Sequence, residues 1–389
     1  KAMAGVRVAT LKPLLRRAPT TPIHCTLQAD DIIYIQYTGG TTGKPKGAVQ
    51  TLASIFSSLH QLNTVQGYVE GEETIASAFP YFHMAGLSLA IVGLHTGSRL
   101  LVIPDPRNVD MLCQVMRQYP PTFMANVPTL YQMLMENPSF ASVDFSRLKM
   151  AVSGAAPFSP EQIHRLETFI GQGKLCEGFG MTETSGVTTI NPPGHARIGS
   201  IGIPLPSTRA KIVDAETGTQ ELPAGEPGEL IFRGGQIMAC YLGNPESTAK
   251  TIRDFAGEPW LYSGDIATMD ADGYITIVDR AKDMLIVGGY KVFSVEVETK
   301  LAELPCVAMS AVIGQPDQKR PGNDLVHLYV QLHADHEQRE VRAVTAEMLA
   351  FCRATTAAYK IPKEVQVLEA LPLTAVGKLD KKVLRAQLQ

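Results

Sequence analysis

Residues 37–48 read YTGGTTGKPKGA and continue an apolar run, 32–37, rich in β-branched and aromatic residues. Four glycines, three threonines and two lysines fall in this stretch. Glycine lets the backbone turn its N–H groups toward an anion, threonine hydroxyls add donors, and lysine adds charge. A strand running into such a turn suits a phosphate group. The stretch does not fit the frame of a P-loop, since Lys44 precedes Pro45 where that loop needs Ser or Thr opening a helix. A flexible glycine turn without a ligand is the plainer reading.

Outward from this turn, β-rich runs alternate with helical segments. Strands are predicted at 32–37, 74–79, 100–103, 122–125, 148–152 and 175–179, and helices at 51–62, 109–118, 128–136 and 160–169. Such alternation predicts an α/β fold, with helices packed on a mostly parallel sheet. From residue 208 short strands (209–213, 228–232, 266–269, 274–278) are separated by Gly, Pro and Asp. Asp272-Gly273 between two apolar alternations is a hairpin signal, so this stretch reads as a small antiparallel β unit. After Arg280 come a helix (294–304), two strands (307–313, 325–332), an amphipathic helix bearing Val341, Val344, Met348, Leu349 and Cys352, a strand (365–368) and a closing helix. That is a small α+β unit. The expected division is a large N-terminal domain over 1–281, with its β subdomain at about 200–280, and a C-terminal domain over 282–389.

A length of 389 residues leaves room for two cores. Hydrophobic residues at 45% and charged residues at 19% argue against a disordered or fibrous chain. With 35 basic and 38 acidic residues the net charge is −3, which gives no reason to expect a nucleic-acid partner. Cys25, Cys113, Cys176, Cys240, Cys306 and Cys352 lie far apart with no C-x-x-C pair. This speaks against a zinc ribbon, a thioredoxin-like site or a disulfide scaffold. The longest apolar run, 84–94, is too short to span a bilayer, and 1–19 lacks the apolar core of a signal peptide. A soluble, cytoplasmic protein is expected.

Further stretches carry chemistry. GFGMTET, 178–184, follows a predicted strand, which places Thr182 and Glu183 at a carboxyl end, where open α/β sheets bind ligands. A carboxylate beside a phosphate turn suits Mg2+, and Phe179 offers a flat face for a base. A buried turn explains the stretch about as well. YSGDIA, 262–267, and VDRAKDMLIVGGYKV, 278–292, hold Asp265 and Arg280, both able to reach ribose hydroxyls. Their plainer readings are a turn cap for Asp265 and a solvated surface for Arg280 and Lys282. In LPLTAVGKLDKK, 371–382, Lys378 follows a glycine turn and on its own reads as an exposed helix N-terminus. Ser247 and Lys250 match the S-x-x-K spacing of penicillin-binding enzymes, but no S-D-N or K-T-G accompanies them, so they read as a helix start.

In this order the segments resemble the adenylate-forming superfamily: acyl- and aryl-CoA synthetases, luciferases and peptide-synthetase adenylation domains. VPTLYQMLMENPSFASVDFSRLK (127–149), SIGIPLPSTRAKIVD (200–214) and GYKVFSVEVE (289–298) make the chain most similar to bacterial long-chain fatty acyl-CoA ligases. The resemblance covers nearly the whole chain and implies a large N-terminal domain followed, after a hinge, by a small mobile lid. It also implies roles. Thr38, Gly39, Gly40, Thr41, Thr42, Gly43, Lys44 and Lys46 would hold the ATP phosphates, with Thr38 and Glu183 at Mg2+. Gly154, Ala155, Ala156 and Pro157, with Glu177, Gly178, Phe179 and Gly180, would frame adenine. Thr182 would contact the α-phosphate, Asp265 and Arg280 would bind ribose, Lys282 would be the hinge, and Gly288 and Gly289 would line the CoA tunnel. His83, in FPYFHMAG (79–86), matches a gate beside the acyl carboxylate, though a histidine between Phe82 and Met84 also suits a core. Lys378 matches the lysine that serves adenylation.

The implied reaction turns a fatty acid, ATP and CoA, with Mg2+, into acyl-CoA, AMP and pyrophosphate. No nucleic acid is expected, while a homodimer and peripheral membrane association stay open. An aryl or medium-chain CoA ligase and a fatty acyl-AMP ligase are alternatives within enzymes. An inactive relative acting as a binding module is the alternative outside them. Gly178, Ala155 and Ala156 are small enough to admit a long alkyl chain. Two departures stand out: the final motif reads TAVGKLDKK rather than TATGK with Ile and basic residues, and the phosphate turn begins at residue 38, so the chain is expected to be truncated at its start.

Overall fold

The structure, a computed structural model, describes residues 11–21, 24–38, 45–154, 156, 158–374 and 379–388. A short helix, α1 (Leu11–Arg17), precedes β1 (Ile32–Thr38) and β2 (Lys46–Thr51), which form an antiparallel hairpin running from Ile32 with Thr51 to Thr38 with Lys46. The expectation that 32–37 joins the parallel sheet is thereby corrected. Residues 39–45 are too few for the crossover of a dozen or so that a parallel pair needs. Helix α2 (Leu52–Gln66) follows at once, because the Thr51 side chain accepts from the Ser54 N–H and caps it.

The main sheet takes in β3 (Thr74–Ser77), β4 (Arg99–Val102), β5 (Phe123–Asn126), β6 (Met150–Gly154) and β7 (Leu175–Met181). They lie parallel in the order β4-β3-β5-β6-β7, and β8 (Gly186–Ile190) and β9 (Ile203–Pro204) extend the β7 edge antiparallel. Between the parallel strands run α3 (Met84–His95), α4 (Val109–Gln118), α5 (Pro128–Glu136) and α6 (Pro160–Ile170). Successive strand residues point to opposite faces, and the two faces have separate cores. Ile75, Phe123, Met150 and Cys176 pack with Ile55, Leu59 and Val92 of α2 and α3. Ala76, Met124, Ala151 and Leu175 pack with Met116, Tyr131 and Leu166 of α4, α5 and α6. The larger of these side chains, such as Ile75, Met124 and Leu166, each contribute about 1.5–3 kcal/mol when fully buried. Helices therefore cover both faces, and the sheet's carboxyl edge is left for ligands.

The β unit follows. β10 (Arg209–Val213) and β11 (Gly228–Arg233) come first; then β12 (Cys240–Tyr241) leaves the unit to pair with β2. Helix α7 (Pro245–Thr251), capped by Asn244, is the helix start expected at Ser247. β13 (Ile252–Phe255), β14 (Glu258–Met269) and β15 (Ile275–Arg280) complete a sheet ordered β10-β11-β14-β13, with β15 on β14. The expected hairpin at Asp272-Gly273 joins β14 to β15.

The smaller C-terminal domain opens with a hairpin, β16 (Leu285–Val287) and β17 (Tyr290–Val292). Its two-residue turn is Gly288-Gly289, both at positive φ (59° and 82°), as the tight hairpin turn of this hand requires. Then come α8 (Ser294–Leu301), β18 (Val307–Pro316), β19 (Asp324–Leu332), α9 (Val341–Thr355), β20 (Glu364–Val367) and α10 (Lys381–Ala386). Val312 and Leu328 face α8 and α9, while Ala311 and Tyr329 face Leu384 of α10. Among the described residues no helix is long and apolar enough to cross a membrane.

Candidate active site

The hairpin reaches the GFGMTET turn through a buried polar network. Gln50 on β2 donates from Nε2 to the Thr182 carbonyl at 2.7 Å, and its Oε1 accepts from Ser54 at 3.1 Å. The Ser185 hydroxyl lies 2.6 Å from Gln50 Oε1 and 2.8 Å from the Gln236 carbonyl, with one proton to give to either. Buried polar groups are costly unless bonded, so this network holds β2 and residues 182–185 in one arrangement. Glu183 is buried, and the Tyr241 phenol donates to its Oε1 at 2.5 Å. The Lys46 ammonium lies 4.8 Å from the centroid of the Tyr241 ring. Thr38, Lys46, Thr182 and Glu183 are thus gathered on two strands and one turn, by way of Gln50 and Tyr241, which sequence reasoning missed.

A second group stands at the carboxyl ends of β6 and β7, where Gly154 pairs with Gly178. Ala156 and Gly180 are exposed there. The Glu177 Oε2 accepts the Gly199 N–H at 2.9 Å, yet burial dominates and raises its carboxyl to about 7. Phe179 does not present both faces to a base: it stacks on Phe232 of β11, centroids 6.0 Å apart. Asp265 and Arg280 face each other across β14 and β15, with the guanidinium Nε 3.3 Å from the buried Asp265 Oδ1.

His83 ends the loop after β3 and caps α3, its Nδ1 accepting the Ala85 N–H at 3.2 Å. The hairpin holds this loop too, since Gln36 on β1 donates to the Phe82 carbonyl at 2.6 Å. Lys282 lies in the turn between β15 and β16, where Asp283 and Met284 N–H groups bond to the Arg280 carbonyl. Gly288 and Gly289 belong to the C-terminal hairpin, tied to Asn323, and are not part of the Glu183 cluster. Gly39, Gly40, Thr41, Thr42, Gly43, Lys44, Ala155, Pro157 and Lys378 lie outside the described residues.

Among the described residues no group of three or more His, Cys, Asp and Glu could hold a metal alone. One buried carboxylate, whose tyrosine partner lies under the Lys46 ammonium, fits an ion that keeps several waters, as Mg2+ does.

A profile of the AMP-binding enzyme family matches residues 5–242, and one of the AMP-binding enzyme C-terminal domain matches 296–378. The chain is 34% identical over 363 residues to a long-chain-fatty-acid–CoA ligase of Escherichia coli, a match covering 92% of this chain and 62% of that protein. It is 33% identical over 371 residues to a feruloyl-CoA synthase of an Amycolatopsis species, covering 94% of this chain and 72% of that protein. ATP-bound MatB from Rhodopseudomonas palustris has the same fold, with a TM-score of 0.86 and 29% identity over 97% of this chain and 72% of that one. The chain thus spans 62% of the length of the Escherichia coli ligase.

Proposed function

The chain belongs to the AMP-binding enzyme family, and from that premise we propose that it is a long-chain fatty acid–CoA ligase. In its first step a carboxylate oxygen attacks the α-phosphorus of ATP, the bond to pyrophosphate breaks, and acyl-AMP forms. In the second, the CoA thiolate attacks the acyl carbonyl, the bond to AMP breaks, and the thiol proton goes to solvent. Both partners of the first step are anions, so repulsion dominates its barrier, and positive charge fixed in advance lowers it. Glu183 would hold Mg2+, which would supply part of that charge as a Lewis acid. The turn between Thr38 and Lys46 and the Lys378 ammonium would supply the rest. Asp265 and Arg280 would take the ribose hydroxyls, His83 would orient the acid, and Lys282 would be the hinge between 1–281 and a mobile 282–389. Gly288 and Gly289 would border the CoA arm. A reducing cytoplasm suits its six unpaired cysteines.

One observation carries this reading: Gln50 with Thr182, and Tyr241 with Glu183, hold a carboxylate against the very strands that border the phosphate turn. An aryl acid is the second candidate substrate. Gly178 is small for a reason other than a long pocket, because a Cβ there would meet the Thr189 carbonyl at 3.3 Å and the Ile190 and Val152 side chains. The feruloyl-CoA synthase among its relatives supports the same alternative. The test is carboxylate-dependent exchange of labelled pyrophosphate into ATP with palmitate and with benzoate. Exchange with palmitate, followed by CoA-dependent AMP release, is expected. Exchange with benzoate alone selects the aryl reading, and none with either acid sinks adenylation.

A further inference from the structure

Glu183 and Tyr241 are separated by 58 positions in the chain and 2.5 Å in space. Both are buried, Glu183 9% and Tyr241 5% exposed. The backbone around the tyrosine is held on three sides. Tyr241 pairs with Ala48 on β2, the Leu242 N–H donates to the Gly47 carbonyl at 2.8 Å, and the Tyr241 N–H donates to Thr248 Oγ1 at 2.9 Å. The glutamate backbone is held as well, its carbonyl accepting the Met238 N–H at 2.8 Å. With both backbones fixed, the phenol–carboxylate bond sets the side-chain orientation of Glu183. The same ring lies under the Lys46 ammonium at the base of the phosphate turn.

We propose that Tyr241 is a positioning residue for a divalent cation: its O–H occupies Glu183 Oε1, so that a cation arriving with ATP meets the other oxygen of a carboxylate already held in one rotamer. This rests on the adenylation reading above. A hydrogen bond to an ionised carboxylate is of the strong kind, and an oriented ligand spares the cation the cost of ordering it. A tyrosine phenol carries one O–H and can donate it to a carboxylate oxygen.

Tyr241→Phe keeps the ring and its contact with Lys46 while removing the O–H. ATP binding is measured by calorimetry with Mg2+ and with chelator, and pyrophosphate exchange is followed as Mg2+ is titrated. The metal-free affinity should be unchanged and the Mg2+-dependent gain should shrink about tenfold. Half-saturation by Mg2+ should rise by a similar factor, with exchange largely restored at high Mg2+. An unchanged Mg2+ response, or equal weakening with and without metal, overturns the proposal. Glu183→Gln, alone and with Tyr241→Phe, guards against a folding defect: identical metal responses of these two proteins support the coupling, and a further loss in the double variant contradicts it. Calorimetry decides the matter even where wild type shows no exchange, an outcome that would sink the adenylation reading alone.

Discussion

Burial raises the Glu177 carboxyl from 4.5 to about 7 despite the Gly199 N–H on its Oε2. Below pH 4.5 the group is protonated in folded and unfolded chains alike and costs nothing. Between pH 4.5 and 7 only the unfolded chain gives up its proton, so stability falls as pH rises, and above 7 the loss is complete. Glu177→Gln removes that dependence. Melting temperatures from pH 4 to 8 should show the variant gaining on wild type through this window, and a constant difference would refute the assignment. At this scale Thr182 and Glu183 are legible because GFGMTET is contiguous. Tyr241 and Gln50 are not, since their partners lie 58 and 132 residues away and a lone tyrosine or glutamine has no spacing to read. His83 turns out to serve α3 as its cap, a role that a motif match does not announce.

Among the elements, the β1–β2 hairpin bears on most of the candidate site: it flanks residues 39–44, holds the His83 loop and fixes Thr182. Gln50 is fully buried within it. Gln50→Leu keeps the bulk but leaves the Thr182 carbonyl without its donor, which should cost about 2 kcal/mol. Urea unfolding should show it, and an unchanged midpoint would mean the network is dispensable. Helices α4 and α5 match their predicted bounds because Asn108 caps the first and Pro128 opens the second. Helix α3 escapes, since Met84–His95 is apolar all round and offers no 3.6-residue period. β2 escapes for a related reason: its four inner residues are buried on both faces of the sheet, so they show no alternation.

On the scale of the molecule, helix α10 ties the C-terminal domain to the segment around Lys282. Arg385 pairs with Asp283 at 2.5 Å, and Lys381 reaches both Ser294 and Glu298 at 2.7 Å. Asp279, buried and raised to about 6 chiefly by burial, accepts the Ser294 N–H at the start of α8. If the domains turn about Lys282, fixing φ there should arrest one step and not the other. Lys282→Pro is expected to spare pyrophosphate exchange and to block transfer from supplied acyl-AMP to CoA. Normal transfer would remove the hinge. The α/β class and the order of the domains are legible because strand–helix alternation gives way to close-set turns and then to α+β texture. The antiparallel strands closing the main sheet are not, as pairing between distant segments is decided by tertiary packing.

Cys240 sits beside Tyr241 in the two-residue strand that joins the β unit to β2, opposite Val49. It is half-buried, whereas Cys113, Cys176, Cys306 and Cys352 are buried and Cys25 is exposed. A thiol reagent should therefore meet Cys25 first, Cys240 next and the four buried thiols last. Timed alkylation of Cys240, read by peptide mass, should therefore report on the β2–β12 seam with no engineered label.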